Sequence, residues 1–405
     1  MTGEGDQVPK AVPQRPVRTI PRAERRARLG VRHHLADPGK IGPLAVVQDL
    51  VALHATDPAS VYLSIAARCD AEPDDLSRAL YDDRTLIRML GMRRTMFVLP
   101  TSSAPLVQHS SSDVVAARLR RRLVQELATI SDDPDEWLTS LEETVNVLLR
   151  ERGGSTALAL SRVEPRLRTK LMISEGKAYG GPASIGSRVL NIMSSQGRIV
   201  RGRPGGQWAS SQYEWAAIEK WLPGGVPELE PAWARIELLR RWLARFGPGS
   251  LADMVWWTGW NLGETRRALQ QLDTAVVELD GETGFVLSED LEAVEEPEPW
   301  ISLLPALDPT PMGWIGRDWY LPPDCRTALF DRTGNIGPSI WCSGRIVGGW
   351  AQRPDGAVVW RLLEDIGAEM TAAVATEGAR LEQWMGEVRV IPKFRTPLEK
   401  ELAER

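Results

Sequence analysis

The chain has 405 residues, 43% of them hydrophobic and 25% charged, a globular composition with room for two to four small domains. No apolar run is long enough to span a bilayer, and Cys69, Cys325 and Cys342 stand apart without disulfide-framework or metal-ligand spacing. The net charge of −5 argues against nucleic acid as a sum, but the distribution along the chain is uneven.

In chain order, residues 1–20 are rich in Pro, Gly, Gln and charge and are expected to be disordered. A basic helix runs from Pro21 through Leu35, and a second from Leu44 to about His54. Asp57-Pro58 reads as an N-cap followed by proline at the first position of a third helix. A helical segment, Asp74 to Tyr81, precedes residues 84–100, which read as strand, turn and strand with Arg93 and Arg94 near the tip. Helices fill 137–150 and 155–168. A helical pattern from Ile185 stops at Gly197. Then come a strand Arg198 to Val200, a turn of glycine, proline and arginine, and a return strand around Trp208. After a linker, Pro223 to Pro231, a helix runs from Ala232 to Phe246. Ser250 caps a helix through Trp257, another spans Leu262 to Leu272, and Ala275 to Leu287 forms a hairpin turning at Asp280-Gly281. In the final quarter, Ile315–Leu321, Asn335–Trp341, Ile346–Trp350 and Ala357–Leu362 supply short, regularly spaced strands. A helix from about Ala368 to Met385 packs on them, and Val388–Pro392 closes the sheet.

Helix, helix and hairpin thus recur three times, the pattern of tandem winged helices. The expected fold is α+β: winged helices over 21–150, 151–225 and 226–299, then a small C-terminal β-barrel with a packed helix over 300–405. Arg93, Arg94, Arg198, Arg201 and Arg203 cluster at two wing tips, where they suit phosphates or a minor groove. From Arg84 to Gly205 there are 19 Lys or Arg against 11 Asp or Glu, whereas Asp273 to Glu298 carries ten acids and no base. The first two wings are therefore expected to meet DNA and the third to keep clear of it.

Four segments together resemble the winged-helix DNA-binding family that contains the AlkZ-type DNA glycosylases and their crosslink-unhooking relatives. They are Leu53-His54-Ala55-Thr56-Asp57-Pro58 with Val61-Tyr62-Leu63; Met92-Arg93-Arg94-Thr95-Met96; Gly197-Arg198-Ile199-Val200 with Trp208; and a C-terminal set. That set comprises Leu304-Pro305-Ala306-Leu307-Asp308-Pro309, Gly316-Arg317-Asp318-Trp319-Tyr320, Leu329-Phe330-Asp331-Arg332 and Gly348-Gly349-Trp350. The likeness covers roughly Pro21 to Pro397. It implies a C-shaped protein around duplex DNA, with Arg317 on a barrel hairpin that enters the minor groove, and excision of bulky alkylated purines or unhooking of crosslinks.

The family's catalytic motif, Gln-apolar-Gln or Gln-apolar-Asp, falls at His54-Ala55-Thr56 here. A purine already carrying positive charge leaves readily once water is held against the anomeric carbon. A neutral His54 could accept that water's proton, Thr56 could supply a second hydrogen bond, and Asp57 could add a carboxylate beside its capping role. The alternative is a non-catalytic lesion sensor or regulator on the same scaffold. His33, His34, His54 and His109 show no i, i+4 pair for a metal, so neither metal nor cofactor is expected. The partner expected is double-stranded DNA, met by a monomer. The N-terminal residues lack the apolar stretch of a secretory signal, so a cytoplasmic location is expected.

Overall fold

Prolines open many of the helices. Pro43, Pro58, Pro73, Pro134 and Pro231 each sit in a first turn, where the missing N–H is no loss and φ is preset. The computed structural model describes residues 15–39, 41–173 and 181–404. The N-terminal elements are α1 (Arg22–Arg32), α2 (Pro43–Asp49), β1 (Leu53–His54), α3 (Pro58–Ala66), α4 (Pro73–Tyr81), β2 (Leu86–Leu90) and β3 (Met96–Pro100). The middle holds α5 (Ala104–Val107), α6 (Asp113–Leu127), α7 (Pro134–Arg152), α8 (Ala157–Val163), β4 (Lys170–Ile173), β5 (Gly181–Ser184), α9 (Gly186–Ser195), β6 (Ile199–Pro204) and β7 (Tyr213–Ala217). Next come α10 (Pro231–Phe246), α11 (Leu251–Thr258), α12 (Leu262–Gln270), β8 (Thr274–Leu279) and β9 (Glu282–Leu287). The chain finishes with β10 (Ile301–Leu304), α13 (Arg326–Leu329), β11 (Ser339–Cys342), β12 (Arg345–Gln352), β13 (Val358–Leu362), α14 (Gly367–Met385) and α15 (Pro397–Glu404).

The sheets are small and antiparallel: β1-β3-β2, the pairs β4-β5, β6-β7 and β8-β9, and β10-β11-β12-β13. The last is an open sheet, not the closed barrel expected. Two segments needed for closure take other partners. Ile315 and Gly316 donate their backbone N–H groups to Asp253 and turn rather than extend. Val390 donates to the Gln352 side chain, and no strand forms over 388–392.

Other differences have equally local causes. The return strand of the second hairpin is β7, not the stretch around Trp208. The Trp208 ring lies 5.0 Å from Tyr62 and 5.5 Å from Trp384, which holds the intervening loop against the first unit and α14. Helix α2 ends at Asp49 and Val51 adopts φ 64°, so His54 lies on a strand beside Phe97 rather than at a helix end. Of the N-terminal tail, residues 1–14 lie outside the described residues. Val17 and Ile20 donate to Val276 and Glu278 and add an edge to the third hairpin.

Residues from Leu123 to Ala217 share a separate core, so α7 and the end of α6, expected in the first unit, pack with the second instead, because their apolar faces meet α8, α9 and the β6-β7 hairpin. The first unit, the third unit and the C-terminal sheet share one large core, running from Leu29 to Leu402. A polar joint crosses it. Fully buried Arg68 on the first unit forks onto both Asp308 oxygens at 2.7 and 2.8 Å and donates to the carbonyls of His33 and Ser64 and to the Thr310 hydroxyl. Ser64 donates to Asp308 as well, and the His33 ring meets Thr310 at 2.8 Å. With both charges dry, the pair holds because each remaining polar valence is used.

Candidate nucleic-acid interface

Where the first and second units face each other, a cleft of about 500 Å³ opens. The first unit contributes Thr56, Leu90, Arg94 and Met96. Leu119 and Arg122 come from α6, Arg188, Asn191 and Ile192 from α9, Arg201 from β6, and Lys393 from the C-terminal segment. The lining thus holds five cations and no carboxylate. Glu126, paired to Arg122 and Arg188 beside it, resists its partial burial because those two guanidiniums hold it below the usual carboxylate range.

His54-Ala55-Thr56 passes the cleft with one side chain turned into it. Thr56 is half-buried and lines the wall. His54 is 4% exposed, its ring 4.7 Å from Phe97. Its Nε2 lies 3.1 Å from Arg93 Nη2, and a guanidinium only donates, so Nε2 accepts and the neutral ring carries its proton on Nδ1. That Nδ1 is buried without a partner. Burial first, and the Arg93 charge second, push the imidazole well below 6.5. The ring is therefore neutral with its one lone pair occupied, so in this arrangement it cannot take a proton from water in the cleft, as the sequence reading expected of it.

Asp57 is the N-cap of α3, accepting from Ala59 N–H at 3.2 Å. Its second oxygen accepts from the backbone N–H of Lys393 at 3.0 Å, so it also ties the first unit to the C-terminal segment. Burial raises this carboxyl's pKa despite the two N–H groups. Asp57→Ala should cost about 0.5–2 kcal/mol for the cap and about 1–3 kcal/mol more for the orphaned Lys393 N–H. Asp57→Ser should restore the cap alone, giving a melting temperature between Ala and wild type. Melting of the Ala variant at the wild-type temperature would remove this assignment.

The six arginines expected at DNA divide. Arg94 and Arg201 line the cleft. Arg93 and Arg317 do not reach it. Arg93 lies 4.2 Å and Arg317 5.1 Å from the Trp256 ring, and Arg317 is 5% exposed and also 5.1 Å from Phe330. Burial first and the Arg317 charge second lower Arg93 to about 10. Arg317 is thus a core contact here, because Ile315–Gly316 is anchored on Asp253 instead of forming a projecting hairpin. Arg198 pairs with Glu142 at 3.2 Å on a different groove, beside Arg150. Arg203 is exposed and pairs with Asp82 at 2.7 Å.

Arg93 and Arg94 both adopt left-handed backbone, φ 53° and 58°. Gly259, at φ 74°, lets α11 end against this turn, since a Cβ there would lie 3.0 Å from the Arg93 backbone nitrogen. The clamp on Arg93 holds a strained turn whose next residue points into the cleft. Arg188, Asn191 and Lys393 line the cleft without being among the expected contacts. Nothing local marks them, and Lys393 arrives from 336 residues beyond Asp57.

The four histidines do not converge: His33 meets Thr310, His34 pairs with Asp49, and His109 pairs with Asp113. Among the described residues no three His, Cys, Asp or Glu side chains form a metal-binding group, and no helix is long and apolar enough to cross a membrane.

The fold is similar to that of the solved Streptomyces sahachiroi DNA glycosylase AlkZ, at 21% identity and TM-score 0.68, over 91% of this chain and 97% of that one. No curated protein matches the sequence. The family described as DNA glycosylase AlkZ-like matches residues 47–384, most of the chain's length. The chain therefore belongs to the AlkZ-like DNA glycosylase family.

Proposed function

We propose that this protein is a DNA-repair glycosylase that holds duplex DNA in the cationic cleft and hydrolyses the N-glycosidic bond of a bulky alkylated or crosslinked purine. The observation that carries this is the meeting of Thr56, in the family's motif position, with five cations in one cleft. In this reading the three helix–helix–hairpin units are winged helices and the protein acts as a monomer in the cytoplasm. The cations neutralise backbone phosphates on either side of the lesion. A cationic purine needs little help in leaving. Water adds through oxygen to the anomeric carbon as the bond to nitrogen breaks, and the electron pair of that bond neutralises the purine. The added water gives its proton to solvent in the open cleft, and the Thr56 hydroxyl is the motif side chain placed to hold that water. His54 serves by fixing Arg93, and Asp57 by fixing the start of α3. The test is incubation with duplexes carrying N7-methylguanine, a bulkier N7 adduct or an interstrand crosslink, scored for abasic sites. Release of the modified base supports the proposal; intact substrate in all three rejects it.

The engaged lone pair of His54 favours a second reading, a protein that binds lesions without excising them. That reading gives tighter binding to alkylated than to undamaged duplex and no abasic product.

Either way, Arg201→Ala should weaken binding to unrelated duplexes alike and lower the salt dependence, whereas Arg203→Ala, outside the cleft, should change neither. Fluorescence anisotropy titrations over a range of salt read both. Equal losses for the two would move the interface toward the hairpin tip.

A further inference from the structure

Among the described residues, buried arginines are matched, with one exception. Arg28 pairs with Glu24 and Asp290, and Arg68 with Asp308. Arg25 and Arg317 lie over aromatic rings. Arg88, in the middle of β2 and 2% exposed, has neither. Among the described residues no carboxylate lies within ion-pair distance of it, and its Nε is buried without a hydrogen-bond partner. Leu90, two residues on and on the same face of β2, lines the cleft. Arg201, across on β6, is held 4.4 Å from the Tyr213 ring, lacks a carboxylate partner too, and has its own Nε buried and unpartnered. The two guanidiniums repel each other: burial first, then the Arg88 charge, lower the pKa of Arg201.

An uncompensated buried guanidinium is costly to a fold, and two that repel are costlier. The partner missing here is an anion. Forked donors on two arginines suit the oxygens of a phosphate group, and the surrounding cleft supplies further cations. We propose that Arg88 and Arg201 form the seat of one phosphodiester of the bound strand, with Arg88 as its buried half. This rests on the reading that the cleft holds DNA. It adds a specific anchor, invisible from the surface, that fixes the strand's register beside Thr56.

Arg88→Met keeps a long stem and removes the charge. In chloride buffer the variant should melt at a higher temperature than wild type, since an unpaired charge has gone. Inorganic phosphate at matched ionic strength should raise the melting temperature of wild type but not of the variant. Affinity for an undamaged duplex should fall about tenfold, and the log–log salt slope should shrink by about 0.9. Arg203→Met should leave the phosphate shift and the slope as they are in wild type. Melting below wild type with duplex affinity and slope retained would make Arg88 a structural strut and overturn the proposal. Loss of the phosphate shift with duplex binding unchanged would overturn the assignment to the DNA backbone and leave a free-anion site. None of these readings uses a lesion, so failure of the excision assay would not be mistaken for failure of the seat.

Discussion

Asp308→Ala is expected to destabilise the protein by about 3–5 kcal/mol, the loss seen when one partner of a buried ion pair is removed. Arg68 is fully buried and directs two nitrogens at Asp308, so truncation strands a guanidinium that no water reaches. The loss is large against a typical total stability of about 5–15 kcal/mol. The joint crosses the core shared by the first unit and the C-terminal sheet, so the two should loosen together and broaden the transition. The double variant Arg68→Met with Asp308→Leu should recover much of the loss, because it strands no charge. Urea denaturation midpoints of the single and double variants decide this. A double variant no more stable than Asp308→Ala would show that the packing around Asp308, and not the stranded charge, carries the effect.

Thr56→Val is expected to lower base excision by about 10²–10³-fold, the usual loss when one preorganised polar group leaves a reacting centre. Valine keeps the shape of threonine, so melting and duplex affinity should hold. The pH profile gives an independent reading. Burial and Arg93 keep His54 well below 6.5, so the ring stays neutral and excision should remain level as pH falls through about 6.5. Stability should not remain level. His33 is likewise pushed well below 6.5, by burial first and the Arg68 charge second. The unfolded chain takes up protons at both histidines near pH 6.5 while the folded protein refuses them. Their contribution is complete above about pH 6.5 and drains below it, by up to about 1.4 kcal/mol per pH unit for each ring, until the lowered folded-state pKa values are reached. Single-turnover excision and urea midpoints, measured across the same pH series, separate the two effects. An excision rate that halves near pH 6.5 in intact protein would restore His54 as a base.

What was legible in the sequence was local. The Asp57 cap, the Ser250 cap and the Asp280-Gly281 turn all follow from neighbours a few residues apart, and all form where expected. The strands on either side of Arg93 and Arg94 do too. What was not legible depends on contacts distant in sequence. The state of His54 is set by an arginine 39 residues away. Trp208 looks like a strand residue until Tyr62 and Trp384 are placed around it. Arg317 looks like a groove-reading cation until Asp253 captures the backbone before it. The arginines could be counted from the sequence, but whether each meets solvent, a carboxylate or a ring is settled by packing. For that reason two of the six expected DNA contacts reach the cleft, while Arg122 joins them from the basic run over Arg118–Arg122, Arg188 from the helix that begins at Gly186, and Lys393 from the C-terminal segment.

The bond from Lys393 N–H to Asp57 spans 336 residues, and it has a consequence for how the protein is made. A ribosome adding about 5–20 residues per second needs roughly 17–70 s between those two positions. Throughout that interval α3 lacks one of its anchors, and Arg68 waits for Asp308 with its charge unmatched. The first unit cannot reach its final state as it leaves the exit tunnel, although it is synthesised first. The second unit, whose core draws on a contiguous stretch of chain, can. Folding during synthesis should therefore run out of chain order, with the middle of the protein settling before its beginning.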